Sequence, residues 1–219
     1  TAALEDFYKN FVKKQGVVEA RIAQFNKRIK QMSNNTESAE LMRFEATLDL
    51  FEKYGNKYGF DPLMLAAQGY QESRLDQTAK SHVGAIGVMQ IMPATGARLK
   101  VGDIRQIEPN IHGGVKYMDQ LMTHYFPDAR FTEGNRPLFA FASYNAGPGN
   151  ISRMRKEAAR RGLDPDKWFN NVEVVTAEKL GIETTTYVRN IYKYYVAYKL
   201  QEEMLAQRKK AREQLSPAG

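Results

Sequence analysis

Apolar side chains recur every three or four positions between residues 38 and 55, at Leu41, Phe44, Leu48, Phe51 and Tyr54, a spacing that predicts an amphipathic helix. Ile111 to Tyr125 and Thr184 to Leu205 carry the same period. The run Asp61-Pro62-Leu63-Met64-Leu65-Ala66-Ala67-Gln68-Gly69-Tyr70-Gln71-Glu72 is apolar on nearly every side. Asp61 is suited to cap it and Pro62 to open it, and so apolar a helix predicts burial, with Glu72 at its end. Leu138 to Ala142 reads as a further apolar helix, followed by a loop that closes in a tight turn at Gly147-Pro148-Gly149. No region offers a series of alternating strands, so the expected fold class is all-α. Residues 1–36 read as a basic, irregularly amphipathic linker or the remnant of an upstream domain, with Ser33 to Ser38 as a polar break. Residues 37–205 read as the main domain, and 206–219 as a charged extension or tail of the last helix.

Composition narrows the classes. The chain has 219 residues, enough for a substantial core, and no apolar run long enough to span a bilayer, so no transmembrane segment is expected in it. Its net charge of +7 favours anionic partners. Nucleic acid would fit that charge, but no nucleic-acid motif accompanies it. Basic runs such as Arg153-Met154-Arg155-Lys156 and Arg160-Arg161 read as solvated helix faces, so no nucleic-acid partner is predicted. With no cysteine, disulfides are excluded, and the compartment is left open. The start, Thr1-Ala2-Ala3-Leu4-Glu5-Asp6, lacks the pattern of a signal peptide, and the expectation is a processed or truncated chain. His82, His112 and His124 are isolated from any cluster with ligand spacing, so neither a metal site nor a cofactor is predicted.

Three blocks carry candidate chemistry. Glu72 in Gln71-Glu72-Ser73 ends the apolar helix, where desolvation would disfavour its carboxylate and raise its pKa into the range of a general acid. The plainer reading is a helix end pointing to solvent. Ser81 to Pro93 contains Gly84 and Gly87, where a backbone can turn sharply or approach a ligand, then Val88-Met89-Gln90, then a proline that can start a helix. Gln90 can both donate and accept hydrogen bonds, as sugar hydroxyl and acetamido groups require. The plainer reading is an ordinary loop with Met89, Ile91 and Met92 in the core, and for the two flanking residues, Ile91 and Met92, core is the expectation. Ser143-Tyr144-Asn145-Ala146-Gly147 adds hydrogen-bonding groups. Cleaving a glycosidic bond requires a protonated carboxyl within reach of the leaving oxygen, and these blocks fit a carbohydrate site with one acid. Asp76 would be the second carboxylate of a water-using enzyme, but it falls where the helix should give way to loop and reads as a turn residue.

In order and spacing these blocks resemble the soluble-lytic-transglycosylase catalytic domain, a relative of goose-type lysozyme. The resemblance rests on Glu72-Ser73, on Gly87-Val88-Met89-Gln90 with Pro93, on Ser143-Tyr144-Asn145-Ala146-Gly147 and on Glu183-Thr184-Thr185-Thr186-Tyr187-Val188, and covers roughly residues 55 to 200. Ser143 stands where the family commonly has alanine. The wording from Ala66 to Gln77 is most similar to the membrane-bound lytic transglycosylase F group.

The resemblance implies a lysozyme-like helical domain with a substrate cleft. It also implies cleavage of the bond between N-acetylmuramic acid and N-acetylglucosamine in peptidoglycan glycan strands, without water. Glu72 would be the acid and then the base. Ser73 would support the local geometry, while Ser81, Met89 and Gln90 would line the cleft. Tyr144 and Asn145 would bind saccharide and Tyr187 would sit close to Glu72, while Glu183 could be a second carboxylate but reads rather as holding the helix start or a structural hydrogen bond. The tyrosines at 187, 192, 194, 195 and 198 are expected mainly in packing, with one or two at most facing the cleft. The resemblance further implies the bacterial periplasm, an association with the outer membrane, and an upstream solute-binding-like regulatory domain. A hydrolytic muramidase of the same fold and a non-catalytic wall-binding module are the alternatives.

Overall fold

The computed structural model describes residues 36–215. The linker expected over 1–36 lies outside the described residues except at its last position, as does the end of the tail expected over 206–219. The backbone falls into two units, Thr1–Arg43 and Phe44–Gly219, and of the first only the start of a helix is described. Among the described residues there are eight α-helices and no sheet. They are α1 (Thr36–Tyr58), α2 (Pro62–Ser73), α3 (Pro93–Leu99), α4 (Ile107–Tyr125), α5 (Asn135–Ala146), α6 (Pro148–Arg160), α7 (Glu173–Leu180) and α8 (Ile182–Leu215). A kinked turn at Trp168–Val172, non-helical at Phe169 and Asn170, precedes α7. The all-α expectation holds, and each amphipathic segment lies in a helix.

The apolar helix α2 is central. Asp61 Oδ1 accepts from the backbone N–H of Leu63 at 2.8 Å and of Met64 at 3.4 Å, Pro62 fills the first helical position, and Leu63 through Tyr70 are all buried. α8 packs along it. At Gly69 a side chain would meet Phe51 of α1 at 3.1 Å, Val88 at 3.1 Å and Leu75 at 3.0 Å, so the missing Cβ is what lets α1 and the following loop close on this helix. α2 ends abruptly. Arg74 and Leu75 are both left-handed, with φ of 57° and 59°, and the N–H of Leu75 bonds back to Gly69 O. Two such non-glycine residues in succession are strained, and the burial of Leu75 offsets the cost.

Two expectations change here. Ser143 to Ala146 is the last turn of α5, whereas the sequence placed it in a loop. The break is confined to Gly147, at φ 83°, after which Pro148 opens α6 at once. Arg155, in a run expected to face water, turns inward. It pairs with Asp166, donates to Pro165 O at 3.1 Å and lies over the rings of Phe126 and Phe131. The aromatic series on α8 serves packing, as expected. Tyr194 meets Tyr70 edge-on at 4.7 Å, Tyr198 lies 4.6 Å from Phe44, and Tyr195 donates to Asp61. Tyr192 is the most exposed, at 39%.

Candidate active site

Glu72 stands, half-buried as a residue, on the last turn of α2. Tyr187, one face of α8 away, donates its hydroxyl to Glu72 Oε1. Burial pushes the Glu72 pKa up to about 7, and the Tyr187 hydrogen bond pulls against that rise. No other carboxyl contributes to this shift among the described residues. Tyr187 and Tyr144 are themselves pushed well above the usual tyrosine range, first by burial and then by the negative charge of Glu72.

The loop after α2 folds back on the helix end as a short closed turn. Ile86 and Ile91 exchange both backbone hydrogen bonds at 3.0 Å, and the N–H of Gln90 reaches Gly87 O at 3.0 Å. Gly87, at φ 78°, and Gln90, at φ 46°, are both left-handed. A Cβ at Gly87 would sit 2.5 Å from Asn110 Nδ2, so this turn requires glycine twice over. Ser73 Oγ donates to Val88 O at 2.9 Å and accepts from the N–H of Asp76 at 3.2 Å, tying the helix end to the turn. Tyr144 Oη donates to Met89 O at 2.7 Å and thereby fastens the end of α5 to the same turn. Glu72, Ser73, Met89, Gln90, Tyr144 and Tyr187 thus form one connected group.

Within it the expected residues divide by what they expose. Glu72, Gln90 and Tyr144 are half-buried, and Asn145 is exposed, its Oδ1 accepting from Thr184 Oγ1 at 2.8 Å. The Met89 side chain is a correction. It is wholly buried against Gly114, where a Cβ would lie 2.7 Å away, and only its backbone takes part in the group. Ser81 closes a separate tight turn, accepting from the N–H of Ala85 at 2.9 Å. Asp76 takes the backbone and side chain of Thr78 on Oδ1 at 2.8 and 2.7 Å, the geometry of a turn residue. Glu183 is exposed in the first turn of α8.

Sequence reasoning missed Asn110 and Gln77, the residues that hold the turn. Asn110 is fully buried. It donates to Ile86 O at 2.8 Å and Ile104 O at 2.9 Å, and accepts from the N–H of Met89 at 2.8 Å. Gln77 donates to Ile104 O at 3.1 Å and accepts from the N–H of Val88 at 3.3 Å. The signal for Asn110 was an amide on the apolar face of α4, between Ile107 and Ile111. A separate hollow of about 360 Å³, lined by Tyr54, Val101, Gln106 to Pro109 and His112, shares no residue with the group. Glu108 and His112 within it are already paired with Lys53 at 2.7 Å and Tyr58 at 2.9 Å.

Residues 49–167 match the family model described as the transglycosylase SLT domain. The chain belongs to this family. Among curated relatives, "membrane-bound lytic murein transglycosylase F" of Desulfosudis oleivorans is 36% identical over 159 residues, covering 67% of this chain and 35% of the relative. The protein of the same name from Marinobacter nauticus is 35% identical, over 67% of this chain and 31% of its own length. Among solved structures, an inactive mutant of the lytic transglycosylase Slt from Pseudomonas aeruginosa superposes with a TM-score of 0.54 at 27% identity, covering 71% of this chain and 24% of that one. The 70 kDa soluble lytic transglycosylase from Escherichia coli gives 0.55 at 28% identity, over 70% and 24%. This SLT chain therefore spans about a third of the length of those two curated relatives. The family match stops at residue 167, so α8, with Tyr187 and Thr184, lies beyond the matched SLT segment.

Proposed function

We propose that this SLT chain is the catalytic domain of a peptidoglycan lytic transglycosylase, with Glu72 as its one acid and base. The observation that carries the reading is a single carboxyl with its pKa raised to about 7 by burial, held by a tyrosine at the helix end, in a chain whose relatives are named lytic murein transglycosylases. At that pKa a large fraction is protonated near neutrality, which a general acid needs, while its conjugate base is strong enough to accept a proton back.

The reaction follows from that proton. Protonated Glu72 donates to the oxygen linking N-acetylmuramic acid C1 to N-acetylglucosamine O4, and the C1–O bond breaks. The substrate's own acetamido oxygen supports the positive charge at C1, which places the chemistry among the substrate-assisted exceptions to the two-carboxylate rule. The Glu72 carboxylate then takes the proton of the muramoyl 6-hydroxyl, and O6 closes on C1 to give a 1,6-anhydro end. Glu72 regains its proton and no water is consumed. The isolated Glu72 carboxyl and the commitment of Asp76 to Thr78 support this over a water-activating pair. Gln90, Tyr144 and Asn145 offer donors and acceptors to the sugar.

The relatives named membrane-bound support action at the bacterial envelope, in the periplasm and close to the outer membrane. No helix among the described residues is long and apolar enough to cross a membrane. An upstream regulatory domain belongs to the same reading. The test is mass spectrometry of purified peptidoglycan digested with this chain and with Glu72→Gln. Anhydromuropeptides from the parent and none from the variant support the reading; reducing-end products would make it a hydrolase, and no products from either would make it a binding module.

A further inference from the structure

Gln68 lies one helical turn before Glu72 on α2, on the same face, and has no exposed surface. Its flanking residues, Leu65, Ala66 and Ala67, are equally buried and all apolar. A glutamine here is out of keeping with its surroundings, and burying it has no hydrophobic benefit. Its Nε2 donates to Tyr187 Oη at 3.4 Å, while its Oε1 is buried without a hydrogen-bond partner among the described residues. Tyr187 in turn donates to Glu72 Oε1. The three side chains form a directed chain: amide N–H to tyrosine oxygen, tyrosine proton to carboxyl oxygen.

The direction matters for an acid that must give its proton to a substrate. Tyrosine has one proton and can also accept. As a carboxylate, Glu72 can only accept, so Tyr187 must donate to it and Gln68 must present its NH2 group to Tyr187. When Glu72 takes up a proton, two arrangements compete. In one, Tyr187 still donates to Oε1 and the new proton sits on Oε2. In the other, the proton sits on Oε1 and is spent on Tyr187, whose own proton must then turn elsewhere. An N–H directed at Tyr187 favours the first arrangement, because the second would require the amide to turn over and offer Gln68 Oε1 to the displaced proton.

We propose that Gln68 is a positioning residue that fixes the direction of hydrogen bonding through Tyr187, so that Glu72 carries its acid proton on Oε2, the oxygen not bonded to Tyr187. The inference rests on the reading of Glu72 as acid and base. The titratable groups whose charges couple to Glu72 are Tyr187 on α8 and Tyr144 on α5; both are pushed well up and neither titrates near neutrality. A tyrosine that accepts a hydrogen bond is a better donor, so Gln68 also strengthens the bond that holds the Glu72 pKa down.

The experiment uses Gln68→Met, which keeps the length of the side chain and removes its hydrogen bonds. Folding is checked by circular dichroism. On peptidoglycan, kcat is expected to fall roughly tenfold with KM unchanged, since positioning and not binding is lost. The high-pH limb of kcat/KM, set by ionisation of Glu72, is expected to move to higher pH. In a Tyr187→Phe background the same substitution is expected to have no further effect, because Gln68 acts through the hydroxyl that is gone. Parent kcat and an unmoved limb in Gln68→Met, or effects that add in the double variant, would overturn the proposal. Should Gln68→Met not fold, NMR of the parent decides: the Gln68 side-chain amide signal is expected to titrate with Glu72 and to stop doing so in Glu72→Gln, and a signal that ignores pH overturns the proposal. If the parent makes no anhydro product, or Glu72→Gln still does, the reading of the site fails; a parent dependent on Glu72 but indifferent to Gln68 sinks this inference alone.

Discussion

Glu72 is the residue on which stability and chemistry pull in opposite directions. Its folded pKa of about 7 lies above the ordinary glutamate value of 4.5, so the folded state binds its proton more tightly than the unfolded chain. A raised carboxyl pKa means stability falls as pH rises from the unfolded value through the folded one and is flat beyond it. Glu72→Gln should therefore raise the melting temperature near pH 8, by a few degrees for roughly 1–3 kcal/mol, and lose that advantage below about pH 4. Differential scanning calorimetry at the two pH values checks this; an equal effect at both would mean the carboxyl is not desolvated as described. Tyr187→Phe removes the one interaction that lowers the Glu72 pKa. The variant's activity should persist to higher pH than the parent's, and a pH–rate profile shifted downwards would contradict the hydrogen bond's direction.

Helix α2 and the closed turn at residues 86–91 act together as one device, and each has its own failure mode. Asp61→Ala removes the cap of α2 at a distance from the turn, so it should destabilise by about 1 kcal/mol in urea unfolding and leave the pH dependence of turnover alone. Asn110→Leu is predicted to be worse in both respects. It strands the N–H of Met89 and the carbonyls of Ile86 and Ile104, for a loss of roughly 3 kcal/mol or more, and it frees the turn that meets Ser73 and Tyr144. Much of α2 was legible in the sequence because Asp61, Pro62 and an unbroken apolar run are local signals. The last turn of α5 was not, since Gly147-Pro148-Gly149 reads as a loop whether the helix stops before Ser143 or after Ala146. The hydrogen bond of Tyr144 to Met89 O, 55 positions away, is a contact made in that last turn.

Over the whole chain, a net charge of +7 acts beyond any single contact. Sedimentation with purified peptidoglycan is expected to weaken as salt is raised from about 50 to about 500 mM, where charges more than a few ångströms apart are screened. Binding indifferent to salt would show that hydrogen bonding at the site, and not charge, provides the attraction. Part of the positive charge is spent inside the fold: Arg155 is buried with Asp166, and Arg136 pairs with Asp119 at 2.9 Å while lying over Phe60. Each of these cations is matched by a carboxylate already counted in the net charge, so the pairs leave the excess of +7 intact.

The sequence by itself determined the helices, the burial of α2, the glycine-dependent turn and the four blocks that mark the family, because caps, periodicity and backbone requirements act over a few residues. It placed Glu72 at a helix end but not in its electrostatic setting. That was decided by tertiary structure, which brings Tyr187 from 115 positions away onto the carboxyl, buries Gln68 behind it and hands the turn to Asn110. Desolvation and hydrogen-bond direction depend on which side chains share a volume, and that is known only once the helices have packed.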